Sequence, residues 1–390
     1  MLDENVSAAT IFFFILYGIT GVVPFIAAVY LLLRRGNAIV PGVTPPVRLR
    51  YWAASFLLVA ALAHVWWILF YIYSRDLRSV TYLVIVTVDF VGMVTTIVGT
   101  MFSMLQDRRR PIWPAFVAMI PFMVLGVFHV LYPDGSFLDI GIAYNLVLYV
   151  LFFIYMVFAV RRYGQWLNDN YADLEDKKVW LSQLVSLGYV LVFILYVLVD
   201  TNFNLIFLLH IAELIFFCLL VWRVDTLPGL TAFPSQDEGE CSSPEEISPA
   251  VISPADHSTD ETNDSPLVRK GVGSETLDQI ERLLEDHCVA TQLYLQHDLT
   301  VQQLAQTIGT NRNYLSQYFS GQDITYNSYI NDLRIKHFVN LYQEAVAAGK
   351  PVVAQQLARE SGYRSYSTFS LAFKQRTGKS LTVWMRDEAQ

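Results

Sequence analysis

The chain has 390 residues, enough for two or three domains, with 54% hydrophobic residues, a mean hydropathy of +0.38 and a net charge of −8. That oiliness excludes an ordinary soluble protein of this size, and because the long apolar runs are confined to 1–225 the charge averages over unlike parts. The three cysteines, Cys218, Cys241 and Cys288, show no CxxC spacing and no even framework, so they imply neither a metal site nor a disulfide scaffold.

The N-terminus, MLDEN, is acidic where a secretory signal is basic, so no signal peptide is expected. Seven segments then reach the roughly 20 apolar residues that a bilayer core requires: 10–33, 51–73, 80–105, 113–131, 138–160, 180–199 and 202–222. Backbone in lipid must satisfy its own hydrogen bonds, so each segment is read as a helix.

Lys and Arg in the short loops set the expected orientation. Arg34, Arg35, Arg48, Arg50, Arg108, Arg109, Arg110, Arg161, Arg162, Lys177 and Lys178 lie in loops on one side. Only Arg75 and Arg78 lie on the other. The rich side is cytoplasmic under the positive-inside rule, which puts the N-terminus outside and everything after Arg223 in the cytoplasm of an inner-membrane protein.

Residues 226–266 carry nine Asp/Glu, six prolines and no Lys or Arg, and SPEEISPAVISPADH repeats Ser-Pro every five residues. Such a segment buries too little apolar surface to offset its ordering entropy, so 226–272 reads as a flexible acidic tether with a reach of about 35 Å.

Soluble helical periodicity begins at 273. SETLDQIERLLEDH places Leu277, Ile280, Leu283 and Leu284 on one face behind a Ser274 cap. LTVQQLAQTIGTNRNYLSQYF predicts helices over 301–307 and 311–319 about a turn at Gly309, with Leu304, Ala305, Ile308, Leu315 and Phe319 forming a small core. VVAQQLARESGYRSYSTFSLAFKQRTG repeats the unit with Leu357, Ala358, Gly362, Phe369 and Phe373 in the corresponding places. YNSYINDLRIKHFVNLYQEA bridges the two.

Two helix-turn-helix units with this bridge resemble the AraC-type DNA-binding domain over about 275–387. The phrases DLTVQQLA, YLSQYF, YINDLRI, LARESGY and STFSLAFKQRTGKS carry the likeness. Phe338 stands where the family usually has alanine and Leu381 where it often has proline. The resemblance implies two recognition helices in successive major grooves of double-stranded DNA. In the first, Asn311, Arg312, Asn313, Ser316 and Gln317 face away from the core, with Arg312 suited to guanine and Asn313 to adenine. In the second, Arg364, Ser365, Tyr366, Ser367 and Ser370 are the candidates, with Lys374 and Arg376 on phosphates. Residues 300–390 hold ten Lys/Arg and six Asp/Glu, a modest excess that implies either weak binding by one copy or binding as a homodimer.

Four ionisable groups fall inside the apolar segments: His64, Asp89, His210 and Glu213. Counted from the outer face, each lies at a depth of roughly 12–16 Å. Interhelical hydrogen bonding that holds the bundle together is the first reading of them; a small-molecule or proton cavity is the second, and a metal site the third. No cofactor and no resident metal is expected, and no catalytic motif is present. The expectation is an all-α protein: a seven-helix membrane domain (1–225), the tether (226–272) and an AraC-type reader (273–390). It acts as a membrane-anchored transcription regulator rather than an enzyme. Its rivals are a transporter or channel with a regulatory domain, and a membrane enzyme built on the four polar groups.

Overall fold

In the computed structural model, residues 8–34, 43–73, 80–132, 136–198, 203–230 and 274–388 are described, and every regular element among them is helical. Most of the expected tether, together with Cys241, Arg35, Arg75 and Arg78, lies outside the described residues. The chain divides into two units, one of Met1–Asp169 with Asp173–Ala232 and one of Asn170–Ala172 with Phe233–Gln390.

The first unit contains α1 (Ala8–Leu33), α2 (Val47–Tyr73), α3 (Val80–Met104), α4 (Trp113–Leu131), α5 (Phe137–Asn170), α6 (Trp180–Leu198) and α7 (Phe203–Thr226). Six of these are long and apolar enough to cross a membrane; α6 adds a shorter apolar stretch, Trp180–Leu191, among the described residues. Their outward faces are as apolar as their inward ones: Phe12, Phe14, Ile26, Leu131 and Phe158 are all exposed. A helix that is hydrophobic all round belongs in a core or in lipid. α5 continues past its expected end at 160, because Tyr163 and Leu167 supply a buried stripe along the polar sequence that follows.

Helices in an apolar medium have little hydrophobic drive to associate, so close packing and polar ties carry the association. Ala53, Ala54, Ala60, Ala61 and Ala63 are buried along α2, which packs against α1, α3 and α7. Tyr17 Oη donates to the His64 carbonyl (2.8 Å), Tyr30 Oη to Asp225 Oδ2 (2.5 Å) and Gln183 Nε2 to the Met101 carbonyl (2.9 Å). Arg110 is buried and meets both carboxylate oxygens of Asp107, at 2.8 and 3.0 Å.

The second unit runs α8 (Ser274–Leu284), a π-helical turn at Glu285–Val289, a 3₁₀ turn at Leu293–Leu295, α9 (Val301–Thr307), α10 (Arg312–Gly321), α11 (Tyr326–Ala347), α12 (Ala354–Glu360), α13 (Tyr366–Thr377) and α14 (Leu381–Glu388). It has two cores. One gathers Ile280, Leu284, Cys288, Leu304, Leu315 and Phe319; the other gathers Ile335, Phe338, Leu357, Phe369 and Phe373. α11 serves both, with Ile330 in the first and Ile335 and Phe338 in the second. The residues that depart from the family pattern are packed: Phe338 lies 4.4 Å from Phe369 between ring centroids, and Leu381 is buried.

Candidate nucleic-acid interface and a polar cluster in the apolar unit

Each helix-turn-helix is fixed by a glycine and a cap. Gly309 (φ +73°) and Gly362 (φ +86°) make the two turns in the left-handed region that side chains disfavour. Thr300 caps α9 in a reciprocal box with Gln303: Gln303 N donates to Thr300 Oγ1 (3.1 Å) and Thr300 N to Gln303 Oε1 (2.9 Å). Asn311 Oδ1 accepts from Asn313 N at 2.8 Å and so begins α10. Ser365 Oγ accepts from Thr368 N at 3.2 Å and begins α13. Two of the expected DNA-facing residues, Asn311 and Ser365, therefore also do structural work as caps, each worth about 1 kcal/mol.

On α10, Asn313 and Gln317 are exposed, Arg312 and Ser316 half-buried. Tyr314, an aromatic that helical periodicity does not separate from core, shares the Asn313–Gln317 face and is 49% exposed. On α13, Tyr366, Ser367 and Lys374 are exposed, Ser365 and Ser370 half-buried, and Leu371 is 53% exposed. In the sequence Leu371 reads by default as core, being an apolar residue in a helix. Arg364, just before α13, pairs across 3.5 Å with Asp298 at an exposed site, and Arg376 pairs with Asp332 at 2.9 Å.

Within YINDLRI, Arg334 has no local pattern that marks a structural role. Its guanidinium is fully buried on α11, donating from Nε to the Tyr294 carbonyl and from a terminal nitrogen to the Gln296 carbonyl, both at 2.8 Å. Its Cζ sits 5.5 Å from the centre of the Tyr363 ring, next to the second turn. One side chain thus ties the bridge helix to the segment before α9 and to the second helix-turn-helix.

A profile for a helix-turn-helix domain matches residues 304–387. The chain carries an AraC-type helix-turn-helix domain. No curated protein and no solved structure matches the chain. The AraC-type match opens inside α9 and takes in both turns, the bridge and α13, and its domain type serves DNA-binding regulators rather than an enzyme family.

In the apolar unit, three of the four expected polar groups come together. His64 on α2 and His210 and Glu213 on α7 place one ligand-capable atom each within 4.8 Å of one another. His64 Nε2 lies 4.0 Å from Glu213 Oε2. Asp89 lies outside this set of three but within electrostatic range of Glu213; its Oδ2 accepts from Trp67 Nε1 at 3.0 Å, tying α3 to α2.

Proposed function

We propose that the protein is a membrane-anchored one-component transcription regulator. The observation that carries this reading is the presence in one chain of six membrane-capable helices and an AraC-type domain in which positive-φ glycines make both turns and side-chain caps begin both second helices. The apolar helices anchor the chain in a cytoplasmic membrane and sense a signal there. The acidic 226–272 segment is the tether, and residues 273–390 read double-stranded DNA. Arg312 and Asn313 supply base contacts from α10, with Ser316 and Gln317 beside them. Arg364, Ser365, Tyr366, Ser367, Ser370 and Lys374 of the second helix-turn-helix work mainly on phosphates. The modest positive charge of residues 300–390 supports action by two copies, and association of the membrane helices would raise the local concentration of reading domains.

The anchoring half is tested by a reporter fused after Gln390 together with membrane fractionation. Cytoplasmic reporter activity in the membrane fraction is the expected result. A periplasmic reporter, or full-length chain recovered free of membrane, would contradict it.

A further inference from the structure

We infer that His64, His210 and Glu213 form a binding site for a first-row divalent transition metal inside the membrane unit. The case begins with tautomers. His64 Nδ1 lies 2.8 Å from the Ala60 carbonyl, which can only accept, so Nδ1 carries the ring proton and Nε2 presents its lone pair. That lone-pair nitrogen is the one facing Glu213 Oε2. A ligating histidine is characteristically oriented in this way, its second nitrogen donating to a backbone carbonyl. Glu213 is oriented similarly: Tyr189 Oη lies 3.5 Å from its Oε1, on the oxygen away from His64. Tyr189 is itself stacked on Phe216 at 4.2 Å and 5°.

The surroundings are aromatic. The Tyr17 ring lies 4.8 Å from His64 and 5.6 Å from His210 between centroids, and Phe13 lies 5.6 Å from His210. Three protein ligands leave a fourth position on a four-coordinate ion for water or another ligand. The donor set selects the ion. Two imidazoles and one carboxylate suit Zn²⁺ and its transition-metal neighbours, whereas Mg²⁺ and Ca²⁺ call for oxygen donors throughout. Glu213 also offsets one of the two charges the ion brings into an apolar medium.

The spacing suggests what binding does. Bonds of about 2.0–2.2 Å around a tetrahedral ion put donor atoms roughly 3.3–3.5 Å apart. The present spread, up to 4.8 Å, is wider. Across the two helices His64 Nε2 and Glu213 Oε2 lie 4.0 Å apart, so loading the site closes this pair by about half an ångström. That the metal is the regulator's signal rests on the function proposed above; that it binds does not.

The test is titration of the full-length chain in detergent or nanodiscs with Zn²⁺ by calorimetry and with Co²⁺ by visible absorption. One equivalent is expected, with a tetrahedral Co²⁺ spectrum and no comparable uptake of Mg²⁺. His210→Ala and Glu213→Gln should each weaken binding by more than the roughly 10–100-fold that loss of an outer partner costs. A wild-type chain that takes up no Zn²⁺, that binds Mg²⁺ equally well, or whose variants titrate unchanged overturns the site. If the variants do not fold, X-ray absorption on the Zn²⁺-loaded wild type decides: imidazole scattering supports the site and an all-oxygen shell overturns it. DNA occupancy measured in parallel separates the two readings. A wild-type chain that binds its operator but takes up no Zn²⁺ counts against the site alone, and one that takes up Zn²⁺ but binds no operator counts against the regulator alone.

Discussion

The buried guanidinium of Arg334 donates its Nε–H to the backbone carbonyl of Tyr294 at 2.8 Å, joining the bridge helix to a segment forty residues earlier. A second donor reaches Gln296 at the same distance. Replacing Arg334 with Met strands the carbonyl of buried Tyr294, at about 1–3 kcal/mol, whereas the carbonyl of exposed Gln296 turns to water. Arg334→Lys recovers only part of this, since one ammonium cannot reproduce the planar fork. Hydrogen exchange of the α11 amides should accelerate in the order wild type, Lys, Met; unchanged exchange in the Met variant would count against the tie.

The two turn glycines should respond differently to Ala. A Cβ at Gly309 meets nothing within 4 Å, so only the positive φ resists, costing about 1–2 kcal/mol. At Gly362 the same atom lies 2.8 Å from Leu295 Cα and 2.9 Å from the Leu295 carbonyl, both backbone. Gly362→Ala should therefore lower the unfolding midpoint of the reading unit clearly more than Gly309→Ala, as denaturation followed by circular dichroism can measure.

Burial pushes the Cys288 thiol up from 9.0 to about 12. The folded state holds this proton more tightly than the unfolded state. Its contribution to stability is thus complete below pH 9 and is lost as pH rises toward 12. Near neutrality the native thiol is unreactive. Mass spectrometry after iodoacetamide treatment should find Cys288 unmodified in the native chain and modified in denaturant; native labelling would show that the first core opens readily.

Lys374 and Arg312 should separate by their effect on DNA. Lys374→Ala is expected to weaken binding evenly across sequences and to reduce the salt slope by about one. Arg312→Ala is expected to cost about 1–3 kcal/mol and to relax preference at the base it reads. Competition binding over a range of salt concentrations distinguishes them, and equal effects on all sequences would remove Arg312 from base recognition.

What the sequence made legible was whatever depends on neighbours along the chain. Apolar length located α1 to α7, and Leu304, Ala305, Leu315 and Phe319 found their core by helical spacing. Gly309 and Gly362 marked their turns because positive φ is a local demand. Contacts between distant segments were not legible. Arg334 looks like any surface cation on a helix until Tyr294 and Gln296 are brought beside it. The cap roles of Asn311 and Ser365 depend on where a helix begins to within one residue, finer than periodicity resolves. His64, His210 and Glu213 were each conspicuous as ionisable groups in apolar surroundings, but only the packing of α2 against α7 separates them from Asp89.

Sequencing the DNA crosslinked to the full-length chain in living cells, with Arg312→Ala as the control, bears most directly on the regulator reading. Discrete genomic sites that share a sequence and disappear in the control are the predicted result. A wild-type profile no different from the Arg312→Ala profile would contradict it.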